Sequence, residues 1–146
     1  MGAWVMDSVG WWYRYADGSY PRNGAALIDG ATYRFDASGY MRTGWVSEAG
    51  SWFYHDASGA QASGWVKDGS SWYYLSTDSG AMVTGWLQRG SSWYYLHPAG
   101  GAMATGWLQL DGAWYYFDPS SGVMATGSQR IGWRSYRFAD SGQLMN

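Results

Sequence analysis

Bulky apolar residues in this chain come in short strings broken by Gly, Asp and Ser, and an extended backbone sends successive side chains of a string to opposite faces. In Trp72-Tyr73-Tyr74-Leu75 the alternation puts Trp72 and Tyr74 on one side and Tyr73 and Leu75 on the other. A shorter run, Trp65 to Lys67, precedes that string across Asp68-Gly69. Asp-Gly between two such runs is a strong hairpin signal, because Gly supplies the positive φ of a tight turn. Asp29-Gly30, Ala49-Gly50, Arg89-Gly90 and Asp111-Gly112 hold the same place elsewhere. A second turn, suited to Asx geometry, follows at Asp36 to Gly39, Asp56 to Gly59, Asp78 to Gly80, Pro98 to Gly101, Asp118 to Gly122 and Asp140 to Gly142.

These elements recur with a period of 20 or 21 residues. The clearest copies open with Gly-Trp at Trp45, Trp65, Trp86 and Trp107, and a second Trp follows seven positions later at Trp52, Trp72, Trp93 and Trp114. Trp4 opens a first copy, whereas Ala25 and Ser128 stand where an opening Trp belongs. Met41, Met82, Met103 and Met124 recur two residues after the turn glycine, which argues for a packing role. The chain divides into about seven copies, at 4–24, 25–44, 45–64, 65–85, 86–106, 107–127 and 128–146. One hairpin of this length cannot bury a core, so stability must come from stacking successive hairpins. The predicted fold is all-β, a solenoid of stacked β-hairpin repeats in a single repeat domain over 1–146. An up-and-down barrel is the alternative architecture, but a barrel would not require the loops to repeat as they do here.

Composition narrows the partners. Aromatic residues make up 20% of the 146 residues, with 12 Trp and 13 Tyr, and charged residues only 14%. A net charge of −2, with one Lys and eight scattered Arg, gives no basic groove for nucleic acid or anionic lipid. No apolar run reaches the roughly 20 residues of a membrane span, so no membrane insertion is expected. The N-terminal residues carry no secretory signal, so export would need a longer precursor or another route. Cysteine is absent, which excludes disulfides and thiolate chemistry.

Leu75, Leu96, Phe117 and the recurring methionines read as interior packing. The Trp pairs read differently. Positions seven apart face each other across a hairpin, and indoles at fixed spacing on a hydrophilic background point to exposed ring faces, the usual mark of a binding site. Sealing hairpin against hairpin is the purely structural alternative.

The strings TGWLQRGSSWYYL, GAMATGWLQLDGAWYYF and GWVKDGSSWYYL resemble the cell-wall-binding repeats of Gram-positive bacteria and their phages, best known as choline-binding modules. The resemblance runs along the whole chain and is strongest over residues 45–127. It implies stacked hairpins in a left-handed superhelix, choline or phosphocholine on teichoic acid as the partner, and an extracellular, cell-wall-associated location. A related branch, the glucan-binding repeats, implies cell-wall polysaccharide instead. Carried over to this chain, the aromatic boxes are Trp45, Trp52 and Tyr74; Trp65, Trp72 and Tyr95; and Trp86, Trp93 and Tyr116. Trp107 and Trp114 form a fourth pair, which Arg137 is expected to cap, because Arg14, Arg34 and Arg137 stand for the second Tyr of the string. Gln88 and Gln109, two residues after an opening Trp, are candidate hydrogen-bond donors to sugar hydroxyls.

No catalytic machinery, cofactor or metal site is expected. Apart from Asp7, every Asp falls in one of the two turns, and Glu48 is the lone Glu, so no carboxylate pair converges for acid–base work. His55 and His97 lie about two repeats apart with no third ligand type beside them. A self-associating spacer that dimerises through its terminal repeats is the remaining alternative.

Overall fold

The computed structural model describes residues 2–145. Among these residues it contains fourteen strands and no helix: β1 (Ala3–Met6), β2 (Trp11–Arg14), β3 (Gly24–Ile28), β4 (Ala31–Phe35), β5 (Gly44–Glu48), β6 (Ser51–His55), β7 (Gly64–Asp68), β8 (Ser71–Leu75), β9 (Gly85–Arg89), β10 (Ser92–Leu96), β11 (Gly106–Leu110), β12 (Ala113–Phe117), β13 (Gly127–Ile131) and β14 (Arg134–Phe138). Each strand pairs with its chain neighbour in a two-stranded sheet, which makes the fold all-β and built of repeated hairpins. The chain forms two compact units, Met1–Val66 with Leu75–Met82 and Lys67–Tyr74 with Val83–Asn146.

Turn chemistry sets the hairpin registers. At Asp111-Gly112 both residues have positive φ, 50° and 83°, the geometry of a type I′ turn whose twist matches that of its strands. Leu110 therefore pairs with Ala113 and Trp107 with Tyr116. In β9–β10 the register places Arg89 opposite Ser92, so Arg89 ends the strand and the turn proper is Gly90-Ser91. The second turn is an Asx turn in several repeats: the Asp118 carboxylate accepts from the Ser120 and Ser121 amides at 2.8 and 2.9 Å, and Asp56 accepts from Ser58 at 2.9 Å, whereas after β8 the Ser76 hydroxyl accepts from the Asp78 amide at 3.2 Å.

Past the second turn, the chain bonds back to the preceding hairpin. The Met124 amide donates to the carbonyl of Trp93 and the Leu144 amide to that of Trp114, each at 2.8 Å, while Met41 donates to Trp11 at 2.7 Å. Each of these residues also bridges the strand end of its own hairpin, as in Phe117–Met124 and Phe35–Met41. One residue thus ties a repeat to its predecessor by a backbone bond. In the first unit Tyr13, Ile28 and Phe35 form a buried cluster with Trp4 and Met41 against it; in the second, Ala104, Tyr115, Phe117 and Met124 do so with Tyr95 and Leu108.

Candidate functional site

Residues directly opposed in an antiparallel pair project to the same face. Trp86 opposes Tyr95 and Gln88 opposes Trp93, so Trp86, Trp93 and Tyr95 share one face of the β9–β10 hairpin, and Tyr94 and Leu96 the other. In β11–β12 the face toward that hairpin carries Tyr115 and Phe117. The Trp86 ring lies 5.1 Å from Tyr115 at 63° and 5.9 Å from Phe117, and meets Trp93 at 6.3 Å, almost perpendicular at 82°. The result is a cavity of about 390 Å³ lined by Trp86, Trp93, Tyr115, Met124 and Ser141, with no charged group in its wall. The indoles are not sealed in: Trp86 is 40% and Trp93 36% exposed.

The first unit repeats the arrangement. Trp4 meets Tyr13 of its own hairpin at 5.2 Å and Tyr33 and Phe35 of the next at 4.8 and 5.9 Å. Trp4, Trp11, Tyr33 and Met41 line a cavity of about 260 Å³, with Ala57 and Ser58 also in its wall. In the second unit, Trp107 meets Trp114 at 6.5 Å and Tyr136 and Phe138 of the following hairpin at 4.9 and 5.8 Å. Leu144 takes the methionine's place there, its amide bonded to the Trp114 carbonyl.

The indole pairs expected from the sequence come together as Trp86 with Trp93 and Trp107 with Trp114, but the third ring differs. Tyr95 and Tyr116 are cross-strand partners of Trp86 and Trp107 on their own hairpins, at 5.1 and 5.0 Å, and the ring offered by the next hairpin is the first Tyr of the string, not the second. The reason is the period of two: a hairpin turning its Trp face one way turns the opposite face, with the first Tyr, toward its predecessor. Tyr136 supplies such a ring to Trp107, so that pair has a full aromatic complement, with Arg137 opposite Ser128 in the register. Trp45 and Trp52 lie in the first unit, where the Trp45 ring meets Tyr54 at 4.9 Å and Trp52 accepts from the Met82 amide. Tyr74 belongs to the second unit, Trp65 to the first, and Trp72, which accepts from the Met103 amide, to the second.

Trp4, Trp11 and Tyr33 also come together, a grouping absent from the expected boxes because Arg34 stands at the second Tyr of the next string. The register pairs Trp4 with Tyr13 and leaves Arg14 opposite Ala3. The ring that Trp4 meets on the next hairpin is Tyr33, one residue before Arg34, just as Tyr115 stands one residue before Tyr116.

The sequence profile of the choline-binding repeat matches residues 23–61, 48–85, 64–105, 83–128 and 104–146. Choline binding protein F from Streptococcus pneumoniae, solved in the presence of a peptidoglycan analogue (tetrasaccharide-pentapeptide), is 35% identical with a TM-score of 0.91, over 97% of this chain and 51% of that one. CbpJ from Streptococcus pneumoniae TIGR4 is 37% identical with a TM-score of 0.91, again over 97% and 51%. The multimodular pneumococcal cell wall endolysin from phage Cp-1, complexed with choline, is 41% identical with a TM-score of 0.63, over 85% of this chain and 37% of that one. The chain thus spans about half the length of the two pneumococcal proteins. Among curated proteins none matches it.

Proposed function

Because this chain belongs to the choline-binding repeat family, we propose that it is a non-catalytic module that holds a surface protein or lytic enzyme on the cell envelope by gripping choline groups of teichoic acid in aromatic cages between consecutive hairpins. The observation that carries this reading is the cavity of Trp86, Trp93 and Tyr115 over Met124, whose wall offers ring faces and no counter-charge. A quaternary ammonium suits such a wall. Its diffuse charge sheds water at little cost and is drawn to each ring face by about 0.5 to 2 kcal/mol. Three rings supply about 2 to 6 kcal/mol before the entropy of capture, which corresponds to millimolar or slightly tighter binding. Several such boxes on one chain, facing a polymer that displays many cholines, gain about 10² to 10⁴ in avidity.

The boxes of this proposal are Trp4, Trp11, Tyr33 and Met41; Trp86, Trp93, Tyr115 and Met124; and Trp107, Trp114 and Tyr136 with Leu144. Thermal melting with free choline, and separately with glucan oligosaccharides, tests it. A rise with millimolar choline supports the cage, and a rise with the sugars alone overturns it.

One observation favours carbohydrate as a second ligand. Gln88 and Gln109 sit directly opposite Trp93 and Trp114, so an amide stands beside each indole on the same face. Indole stacking with a neighbouring amide is suited to a sugar ring, and the melting experiment separates the two ligands.

A further inference from the structure

Between β3–β4 and β5–β6 the box positions carry other residues. Ala25, Thr32 and Arg34 stand where Trp86, Trp93 and Tyr95 stand in the β9–β10 hairpin, by the pairs Ala25–Arg34 and Leu27–Thr32. Phe53 takes the place of Tyr115, opposite Val46, and His55 that of Phe117, opposite Gly44. Gln61 takes the place of Met124, since its amide donates to the Thr32 carbonyl at 2.8 Å. Both indoles and the methionine are gone, yet the space is filled. Arg34, only 7% exposed, lays its guanidinium over the Phe53 ring with Cζ 3.6 Å from the centroid. Its Nε donates to Glu48 Oε1 at 2.5 Å, and its Nη1 donates to Gln61 Oε1 and lies 3.3 Å from His55 Nε2.

The histidine completes the cradle. His55 is fully buried, with Nδ1 2.7 Å from the Gly59 carbonyl oxygen. Nδ1 must carry the proton to donate there, which leaves Nε2 as the acceptor that faces Arg34. Burial holds the imidazole below its ordinary pKa and the Arg34 charge pushes the same way, consistent with a neutral ring. A guanidinium thus meets a carboxylate, an amide oxygen, an imidazole nitrogen and a ring face at a position where the Trp86 and Trp4 boxes present aromatic rings, a methionine and no charged group.

We infer that Arg34 is a resident cation: its guanidinium occupies this box, ties β3–β4 to β5–β6 without any ligand, and makes the position selective for a guanidinium over a quaternary ammonium. The selectivity follows from the donors. A trimethylammonium has no N–H, so in this cradle Glu48, Gln61 and His55 would be desolvated with nothing to accept from, whereas a guanidinium satisfies each of them. That the other boxes take choline rests on the function proposed above; that Arg34 fills this one does not.

The full chain with Arg34→Ala tests the inference through its melting temperature in millimolar methylguanidinium and, separately, tetramethylammonium. The variant should melt about 5 °C or more below the parent, and methylguanidinium alone should restore part of the loss. An unchanged melting temperature, or a loss that neither ion or both ions restore, overturns it. NMR of the unsubstituted chain keeps the question decidable if the variant does not fold. The Arg34 Nε–H resonance should be protected from solvent exchange without ligand and unmoved by saturating choline, while the Trp86 and Trp93 indole resonances shift. An Arg34 resonance that exchanges like a free arginine, or moves with choline, rejects the resident cation; indoles that stay still beside a protected Arg34 reject the choline reading alone.

Discussion

Trp86 and Tyr115 stand 5.1 Å apart on consecutive hairpins, and Tyr116, the next residue along the strand, instead faces Trp107 on its own hairpin at 5.0 Å. Neighbouring tyrosines of one string therefore serve different boxes. Truncating the exposed second indole isolates the box side of this arrangement. Trp93→Ala should weaken choline binding at its own box by about tenfold, the loss of one ring face, while stability changes by less than truncation of a buried ring would cost. Following the Met124 methyl resonance during a choline titration reads that box alone, and an unchanged midpoint contradicts the assignment.

Interior rings carry the stability of each unit. Phe117 is completely buried, and Phe117→Ala should cost about 3 to 5 kcal/mol in urea unfolding, the range for deleting a buried phenyl group. Trp133, at a hairpin tip and 92% exposed, is an apolar residue of the opposite kind; Trp133→Ala should change stability by no more than about 0.5 kcal/mol. Comparable losses for the two variants would refute this division.

Repeat, hairpins and indole pairs were legible in the sequence because each is local: turn glycines, alternation and the seven-residue spacing all lie inside one copy. Which tyrosine the next hairpin turns toward an indole pair is less plain, although the alternation of Trp72 and Tyr74 against Tyr73 and Leu75 bears on it. Identifying it requires the further step that stacked hairpins present opposite faces to each other. The Arg34 cradle lay beyond any local pattern. Its partners Glu48, His55 and Gln61 are 14, 21 and 27 residues downstream, and only the stacking of β5–β6 on β3–β4 brings them to one guanidinium.

The turn glycines set the depth of the box floor. Gly142 has φ of 97°, and a Cβ there would run into Sδ and Cε of Met124. Gly142→Ala should cost about 1 to 3 kcal/mol from backbone strain alone, with the clash adding to it. Met124→Ala removes the clash but not the strain. A double-mutant cycle by urea unfolding should show the pair losing less than the sum of the singles, and strict additivity would contradict the contact.

His55 gives the fold a pH dependence of definite sign. Burial keeps its folded pKa below the ordinary 6.5; Arg34 and Arg42 act the same way, while the Gly59 hydrogen bond and Asp56 oppose them. A depressed folded pKa means the unfolded chain binds the proton more readily, so the His55 contribution is fully present above about 6.5 and is lost as pH falls from there through the folded value. The hydrogen-bonded carboxylates of Asp56 and Asp118, held below 3.8, act only at much lower pH. Urea unfolding between pH 7.5 and 5 should show stability falling, and His55→Gln should flatten the slope. A profile that is flat in the parent would contradict the buried neutral ring.

Intermolecular NOEs from the choline N-methyl protons in the ligand-saturated chain report whether choline sits between consecutive hairpins. The geometry predicts contacts to the rings of Trp86, Trp93 and Tyr115 and to the Met124 methyl in one box, and to those of Trp4, Trp11 and Tyr33 in another. Contacts to Tyr116 in place of Tyr115, or none to these rings under saturating choline, would contradict it.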